Sequence, residues 1–135
     1  MKIYFTGAIR AGRHDQKTYY SLVEHLKQYG KVLTEHVADP NLGETGENLP
    51  EKEIHRRDMA WLHEADAVIA EVTTPSLGVG YEIAKAEEMG KRVLCLYRSS
   101  AGKSLSAMVR GSKRAQVVDY STLDEAFGAI SLFLK

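Results

Sequence analysis

Two carboxylates and a turn of small residues are the parts of this sequence that could do chemistry. The turn is residues 74–82, Thr-Pro-Ser-Leu-Gly-Val-Gly-Tyr-Glu, which follow the apolar run 67–70 and lead into a segment typical of a helix. Backbone N–H groups at such a helix start bind anions, and Ser76 adds a hydroxyl. Glu82 follows in the early part of the helix, so we expect a carboxylate beside the bound anion.

Asp58 is the second carboxylate. Ile54, Trp61 and Leu62 lie four residues before, three after and four after it, so a helix would place all of them on one face. A carboxylate among core residues costs free energy unless it is hydrogen-bonded or charge-paired. Together with Glu82 it suggests glycosidic chemistry, in which one carboxylate attacks and the other donates a proton.

Each of these residues also has a plainer interpretation, which the sequence leaves open. A salt bridge would satisfy Asp58, and Glu82 could merely favour the dipole of its helix. Ser76 could cap that helix. Tyr4, in the first predicted strand, could simply be packed in the core.

A second turn, residues 7–13, contains two glycines together with Arg10 and Arg13. The glycine spacing matches a P-loop, but Arg13-His14 replaces the required Lys-Ser/Thr, so a nucleoside triphosphate site is not predicted. The turn around Gly78 likewise lacks the third glycine of a dinucleotide fingerprint. Two such turns favour a single phosphate group, although the glycines could merely shape tight turns and the arginines could be surface charges.

Apolar strands alternate with helical segments along the chain, which predicts an α/β fold. We expect a five-stranded parallel sheet, doubly wound and flavodoxin-like (Rossmann-like), in the order 2-1-3-4-5 with helices on both faces. In such folds ligands bind beyond the carboxyl ends of strands one and three, where the winding reverses. The predicted strands are 2–6, 32–37, 67–72, 92–97 and 116–119, and the predicted helices are one ending before Gly30, 51–64, 78–90, 105–110 and 123–134.

The five histidines show no metal-binding spacing, and we predict neither a metal nor another cofactor. His36 would end strand two on the crevice side. Residues 39–50 contain two prolines and two glycines, which predicts a mobile loop that could serve as a lid.

The bulk properties exclude several classes of protein. We expect residues 1–135 to form one domain. The 18 basic and 18 acidic side chains cancel, so no global charge attracts a nucleic acid polymer or a membrane. Cys95, in an apolar run, is expected to be buried and inert. We predict an intracellular protein, cytoplasmic or, in a eukaryote, also nuclear.

Six stretches match one known group of enzymes in order along the chain. They are Tyr4-Phe5-x-Gly7, Ile9-Arg10-x-Gly12-Arg13, Leu33-Thr34-Glu35-His36-Val37, Asp58-x-x-Trp61, Ala70-Glu71-Val72-Thr73-x-Pro75-Ser76-Leu77-Gly78-Val79-Gly80-Tyr81-Glu82, and Leu105-Ser106-Ala107-Met108-x-Arg110-Gly111. Together they resemble the 2′-deoxynucleoside 5′-phosphate N-hydrolases, within the nucleoside 2-deoxyribosyltransferase superfamily. The resemblance spans essentially the whole chain. It implies hydrolysis of the N-glycosidic bond of deoxynucleoside monophosphates to a free base and 2-deoxyribose 5-phosphate.

The resemblance also implies roles in catalysis. Glu82 would be the nucleophile on C1′ and would form a glycosyl-enzyme ester. Asp58 would protonate the leaving base and then activate water, and Tyr4 would hold Glu82 by a hydrogen bond. His36 would lie near the base.

The resemblance further implies a 5′-phosphate site and a homodimer. Ser106, with Ala107 and Met108, would complete the site from the other subunit. Ala8 stands where this family commonly has a serine, so one side-chain hydrogen bond to phosphate is expected to be missing. The remaining residues implied at the phosphate are Gly7, Ile9, Arg10, Gly12, Arg13, Ser76 and Gly78.

Two other functions stay open at this stage. A deoxyribosyltransferase would pass the sugar to a second base instead of water. A non-catalytic nucleotide-binding module would bind the nucleotide without turning it over.

Overall fold

Five parallel strands form one sheet in the computed structural model, which describes residues 1–9, 15–42 and 47–135. The strand order β2-β1-β3-β4-β5 confirms the predicted doubly wound α/β fold. The strands are β1 (Lys2–Thr6), β2 (Lys31–Val32), β3 (Ala67–Glu71), β4 (Arg92–Tyr97) and β5 (Ala115–Asp119). The α-helices are α1 (Gln16–Leu26), α2 (Glu51–Glu64), α3 (Leu77–Glu88), α4 (Ala107–Arg110) and α5 (Leu123–Leu134), and two 3₁₀ helices span Glu35–Ala38 and Ser99–Ala101.

The strands bury side chains on both faces of the sheet. Ile3 and Phe5 of β1 lie in a core with buried residues of α1 and α5. Tyr4 lies in the opposite core, with Leu62 of α2 and buried residues of α3. Because side chains alternate along a strand with a period of two, Thr6 at the end of β1 faces the same side as Tyr4. Tyr4 and Thr6 therefore face α2 and α3 from the carboxyl half of β1.

The central strand, β3, is buried along its whole length and pairs with β1 on one side and β4 on the other. Such two-sided burial explains the apolar run of its first four residues, 67–70. None of the helices in the described ranges has the length and apolar character needed to cross a membrane.

The second strand, and with it the position of His36, differs from the prediction. A strand was predicted over 32–37, whereas β2 ends at Val32 and Glu35–Ala38 form a 3₁₀ helix. His36 therefore does not end strand two, and that prediction was wrong. Helix α1 ends at Leu26, a few residues before Gly30, where the prediction stopped it. The bounds of the other strands and of α2 to α5 agree with the prediction to within two residues.

The side chain of Thr34 explains why β2 is short. The N–H of Leu33 still donates to the carbonyl of Ile3, at 2.9 Å. At the next position Thr34 Oγ1 accepts from the N–H of Phe5 (2.8 Å) and donates to its carbonyl (2.6 Å). A hydroxyl thus takes the hydrogen bonds that a strand backbone would otherwise make. The backbone is released from the sheet and turns into the 3₁₀ helix.

Candidate active site

A cleft of about 1260 Å³ opens at the carboxyl ends of β1 and β3. The described part of its lining includes the end of β1, the 3₁₀ helix 35–38, Glu47, helix α2, residues 74–76, helix α3 with Glu82, and residues 104–109. The sheet reverses its winding between β1 and β3, which is where doubly wound sheets bind ligands. The structure thus brings the turn 74–82 and both candidate carboxylates to one cleft.

The carboxylate of Glu82 is held by two hydroxyls of β1. Thr6 Oγ1 donates to Glu82 Oε1 at 2.8 Å, and the hydroxyl of Tyr4 donates to Oε2. Tyr4 is fully buried and Thr6 is 3% exposed, so both donors are fixed by the core. The predicted contact between Tyr4 and Glu82 is present, and Thr6 provides a second contact that the sequence did not identify.

Burial raises the pKa of Glu82 to about 7, and the charge of Asp58 adds to the rise. The hydrogen bonds from Tyr4 and Thr6 oppose it, because they favour the charged carboxylate. Burial and the charge of Glu82 raise the pKa of Tyr4. Tyr4 therefore keeps its proton and remains a donor.

Asp58 lines the same cleft from helix α2, and its side chain is 21% exposed. Burial raises its pKa, whereas its hydrogen bonds to Arg57 lower it. The two interpretations of Asp58, a partly buried acid and a member of a salt bridge, therefore both hold. The guanidinium of Arg57 packs on Trp61, with Cζ 4.7 Å from the ring centroid.

Arg57 joins Asp58 to a second acid, Glu47. The Nη1 and Nη2 atoms of Arg57 donate to Glu47 Oε2 and Oε1 at 2.6 and 2.5 Å. Nη2 and Nε donate to Asp58 Oδ1 at 2.9 and 3.1 Å. Sequence reasoning missed this contact, since adjacent residues on a helix do not normally face each other and Glu47 lies in a loop.

His36 reaches the cleft from the 3₁₀ helix. Its Nε2 lies 3.0 Å from Glu47 Oε1, and its ring centroid lies 5.7 Å from that of Trp61. Burial lowers the pKa of His36, which favours a neutral ring. His36 is thus close to the place predicted for it, although it arrives from a different element.

The turn before α3 contains the residue that caps this helix, and it also lines the cleft. Ser76 is the N-cap of α3, and its Oγ accepts from the N–H of Val79 at 3.3 Å. Ser76 and Gly78 also line the cleft. The plainer interpretation of Ser76 as a cap is therefore correct, and its position leaves it next to any ligand in the cleft.

The loop after β1 contributes Gly7 and Ile9 to the cleft. A Cβ on Gly7 would lie 2.8 Å from the ring of Tyr19, so only glycine fits there without a shift. The hydroxyl of Tyr19 accepts from the N–H of Ala8 at 3.0 Å, and Ala8 is fully buried. Arg10, Gly12 and Arg13 lie outside the described residues, as do residues 43–46 of the predicted lid.

Residues 104–109 form a rim of the cleft. Ser106 caps α4, with Oγ accepting from the N–H of Met108 at 3.2 Å, and both residues line the cleft. Ala107 is exposed and is not among the residues that line it. Met108 is 86% exposed, and Leu77 at the start of α3 is 96% exposed.

A buried acid fixes the chain between β3 and α3. Glu71 is fully buried and accepts from the N–H and hydroxyl of Thr73 at 2.9 and 2.8 Å and from Tyr120 at 2.5 Å. Arg98 donates its backbone N–H to Thr73 Oγ1 at 2.9 Å and its guanidinium to Asp15 at 2.7 Å. This network holds the start of the turn that leads to Ser76.

Comparison with known proteins relates this chain to enzymes of nucleoside metabolism. The family model described as nucleoside 2-deoxyribosyltransferase matches residues 3–117. A 5-hydroxymethyl-dUMP N-hydrolase of Mus musculus is 54% identical over 124 residues, which cover 88% of this chain and 72% of the relative. The enzyme of the same name from Esox lucius is 51% identical over 141 residues, covering 100% of this chain and 97% of the relative.

A solved structure supports the fold independently. The CMP N-glycosidase of Clostridium botulinum superposes with a TM-score of 0.72 at 17% sequence identity, covering 98% of this chain and 99% of that one. At this identity the likeness concerns the fold alone. The family model and the two relatives carry the assignment: this chain belongs to the nucleoside 2-deoxyribosyltransferase family.

Proposed function

We propose that this protein hydrolyses the N-glycosidic bond of 2′-deoxynucleoside 5′-monophosphates, releasing the base and 2-deoxyribose 5-phosphate. The observation that carries the proposal is the Glu82 carboxylate, held by Tyr4 and Thr6 in a cleft that Asp58 also lines. Relatives at 51–54% identity are named 5-hydroxymethyl-dUMP N-hydrolases. That name makes deoxyuridylates with a modified base the first substrates to test.

In the proposed mechanism the charged Glu82 attacks C1′ and forms a glycosyl ester while the bond to the base breaks. The protonated carboxyl of Asp58 gives its proton to the leaving base. The charged Asp58 then takes a proton from water, whose oxygen attacks C1′ and frees Glu82. Net retention at C1′ follows from the two displacements.

The hydroxyls of Tyr4 and Thr6 serve two purposes in this scheme. They fix both oxygens of Glu82, so one of them can face C1′ without rotation of the carboxyl group. They also favour the charged form against the effect of burial. A sugar without a 2′-hydroxyl reaches an oxocarbenium-like transition state more easily, so carboxylates can supply the stabilisation.

The phosphate is proposed to bind where the loop after β1 meets the start of α3. Ser76, Gly78, Gly7 and Ile9 line this end of the cleft. The first turn of a helix favours an anion through its N–H groups and its dipole. Arg10, Gly12 and Arg13 are proposed for the same site from the sequence alone.

We also propose a homodimer in which Ser106, Ala107 and Met108 of one subunit border the site of the other. Leu77 and Met108 support it, because two large apolar side chains are almost fully exposed at the rim of the cleft. Exposed apolar groups of this kind are typical of protein interfaces.

Base exchange is the second candidate function, since the matching family model carries the name of a deoxyribosyltransferase. The same Glu82 ester would serve both reactions. The acceptor, water or a second base, decides between them.

The test is to incubate the protein with the four common deoxynucleoside monophosphates, 5-hydroxymethyl-dUMP and the matching nucleosides. Free base and 2-deoxyribose 5-phosphate are then measured, with and without a millimolar second base. We expect base release from at least one monophosphate, none with Glu82→Gln, and little from nucleosides. Formation of a new nucleotide with the second base would favour the transferase. A folded protein that binds monophosphates and releases no base from any of them would refute catalysis.

A further inference from the structure

Glu47 lines the cleft and Arg57 binds both Glu47 and Asp58, but neither has a part in the mechanism above. Arg57 makes four hydrogen bonds of 2.5 to 3.1 Å, two to each of Glu47 and Asp58. The three side chains are only 17–22% exposed. Paired charges in such a setting are screened much less than charges in open solvent.

The arginine is fixed from several sides. Its guanidinium lies over Trp61, with Cζ at 4.7 Å from the ring centroid. The carboxylate of Glu47 accepts hydrogen bonds from two of its nitrogens. Glu47 is itself 3.0 Å from Nε2 of His36. A planar guanidinium held in this way has fixed N–H directions. Its Nε–H and one N–H of Nη2 both point to Asp58.

Both bonds from Arg57 to Asp58 end on Oδ1. Among the described residues none donates a hydrogen bond to Oδ2, the atom left to carry a proton toward a ligand in the cleft. Held by one oxygen, the carboxyl cannot turn freely. Arg57 thus occupies Oδ1 and leaves Oδ2 as the oxygen available to a ligand.

A guanidinium charge without a neighbouring negative charge would lower the pKa of Asp58 and so weaken it as a general acid. A positive charge at hydrogen-bond distance favours the charged carboxylate, whereas Asp58 must carry a proton when the base leaves. The two bonds to Glu47 supply a matching negative charge on the other side of the fork. Arg57 can thus orient Asp58 while its charge is offset.

We propose, building on the function proposed above, that Arg57 and Glu47 are positioning residues for the general acid. Arg57 holds Oδ1 of Asp58 and directs Oδ2 to the leaving base. Glu47 holds Arg57 and balances its charge. Neither residue touches the reacting atoms.

The prediction concerns the alkaline limb of the pH profile of kcat, where loss of the proton from Asp58 ends activity. The groups that face Asp58 are Arg57 on its own helix, Glu47 in the preceding loop, His36 on the 3₁₀ helix, Glu82 on α3 and Tyr4 on β1. Burial lowers the pKa of His36 and so favours its neutral form, which makes Arg57 the main cation that faces Asp58 among the described residues.

Two variants should move this limb in opposite directions. Arg57→Gln removes the cation, so Asp58 keeps its proton to higher pH and the limb moves up by about 1 pH unit. Glu47→Gln leaves Arg57 uncompensated, so the limb moves down by about 1 pH unit. Arg57→Lys keeps the charge without the fork, so it should leave the limb within about half a pH unit and lower kcat.

The matched controls lie on the outer face of the same helix. Arg56 and Glu53 form an ion pair at 2.7 Å with side chains that are 71% and 54% exposed. Arg56→Gln and Glu53→Gln make the same chemical changes outside the cleft. They should leave the pH profile of the wild type unchanged.

The experiment measures kcat against pH for the wild type and the five variants, each checked for folding by circular dichroism. In parallel, the carboxyl carbon of Asp58 is titrated by NMR in the wild type and in Glu47→Gln, which needs no turnover. Opposite shifts of the limb, and a lower Asp58 pKa in Glu47→Gln, are expected. If Arg57→Gln does not fold, Glu47→Gln and the NMR titration decide.

If the alkaline limbs of Arg57→Gln and Glu47→Gln stay in place or move in the same direction while base is still released, this inference is overturned and the proposed function is not. An Asp58 titration unchanged in Glu47→Gln would overturn it as well. An enzyme that releases no base would instead refute the proposed function, and the NMR titration would still report on the pairing.

Discussion

Thr6 and Glu82 are 76 residues apart in sequence, and a 2.8 Å hydrogen bond joins the hydroxyl of Thr6 to Oε1 of Glu82. The contact arises because Thr6 is the last residue of β1 and Glu82 lies on the helix that follows the neighbouring strand, β3. Tyr4, two residues earlier on the same face of β1, holds the other oxygen. Two hydroxyls that are two residues apart on β1 thus donate to the two oxygens of one carboxylate.

Replacing Thr6 with valine keeps the shape of the side chain and removes one donor to Glu82. We expect kcat/KM to fall by about 10- to 100-fold, since a hydrogen bond to a charged group contributes about 1.5–3 kcal/mol. Tyr4→Phe should have a similar effect, and the two losses should not add, because both hydroxyls hold one carboxylate. Steady-state kinetics of the two single variants and the double variant test this. Thr18→Val on α1, which packs on the other face of the sheet, is the control, and additive losses would count against the shared role.

The raised pKa of Glu82, about 7 against a usual value near 4.5, predicts how stability depends on pH. Between these values the folded protein holds a proton that the unfolded chain has lost, so the contribution of Glu82 to stability falls as the pH rises through this window. Glu82→Gln carries no charge and should be more stable than the wild type at pH 8 by about 1–3 kcal/mol. The difference should shrink toward pH 4.5. Urea denaturation at both pH values measures it, and an equal difference at both would contradict the buried charge.

The hydroxyl of Tyr120 is one of three donors to the buried carboxylate of Glu71. Tyr120→Phe removes it without opening a cavity and should lower the free energy of unfolding by about 1–3 kcal/mol. Because Glu71 also holds Thr73 ahead of the turn at Ser76, KM for the monophosphate should rise more than kcat falls. Tyr20→Phe is the control, since Tyr20 is 51% exposed and its replacement should change stability by less than about 0.5 kcal/mol. An unchanged free energy of unfolding in Tyr120→Phe would contradict the claim that Glu71 fixes the chain ahead of the turn at Ser76.

His25 predicts a loss of stability in weak acid. Its ring stacks on Phe127 at a centroid distance of 4.1 Å, and its Nε2 is buried without a partner among the described residues. Burial lowers the pKa of His25 below its usual 6.5. The unfolded chain therefore takes up a proton first, and stability is full above pH 6.5 and falls as the pH drops below it.

His25→Leu should flatten this dependence between pH 7 and 5, as measured by urea denaturation across the range. His63→Gln, on the exposed end of α2, is the matched control and should keep the slope of the wild type. Identical slopes in His25→Leu and the wild type would show that the ring does not carry the effect.

The fold could be predicted from the sequence because its signals are local. An apolar run such as 67–70 between turn signals predicts a buried strand, and the alternation of strands and helices leaves few topologies. The end of β2 could not be predicted, since it depends on Thr34 replacing a backbone partner of Phe5. The sequence of residues 32–37 does not reveal that the side chain of Thr34 will make those hydrogen bonds.

The candidate site was predictable to the extent that its residues lie next to turns. Glu82 and Ser76 share one segment, and the periodicity around Asp58 places it on an inner face. The contact of Thr6 with Glu82 could have been predicted once Tyr4 was expected to hold Glu82, because residues two apart on a strand share one face. The contact of Arg57 with Glu47 had no such signal, because it depends on the path of a loop ten residues away.

The most direct test of the account is to look for the ester on Glu82. Enzyme mixed with a monophosphate that it hydrolyses is quenched in acid within milliseconds, digested and analysed by mass spectrometry. We predict that the peptide containing Glu82 gains the mass of one 2-deoxyribose 5-phosphate unit less water, and that Glu82→Gln gains none. Base release at full rate, with an unmodified Glu82 peptide at every quench time and retained activity in Glu82→Gln, would contradict the role of Glu82 as the nucleophile.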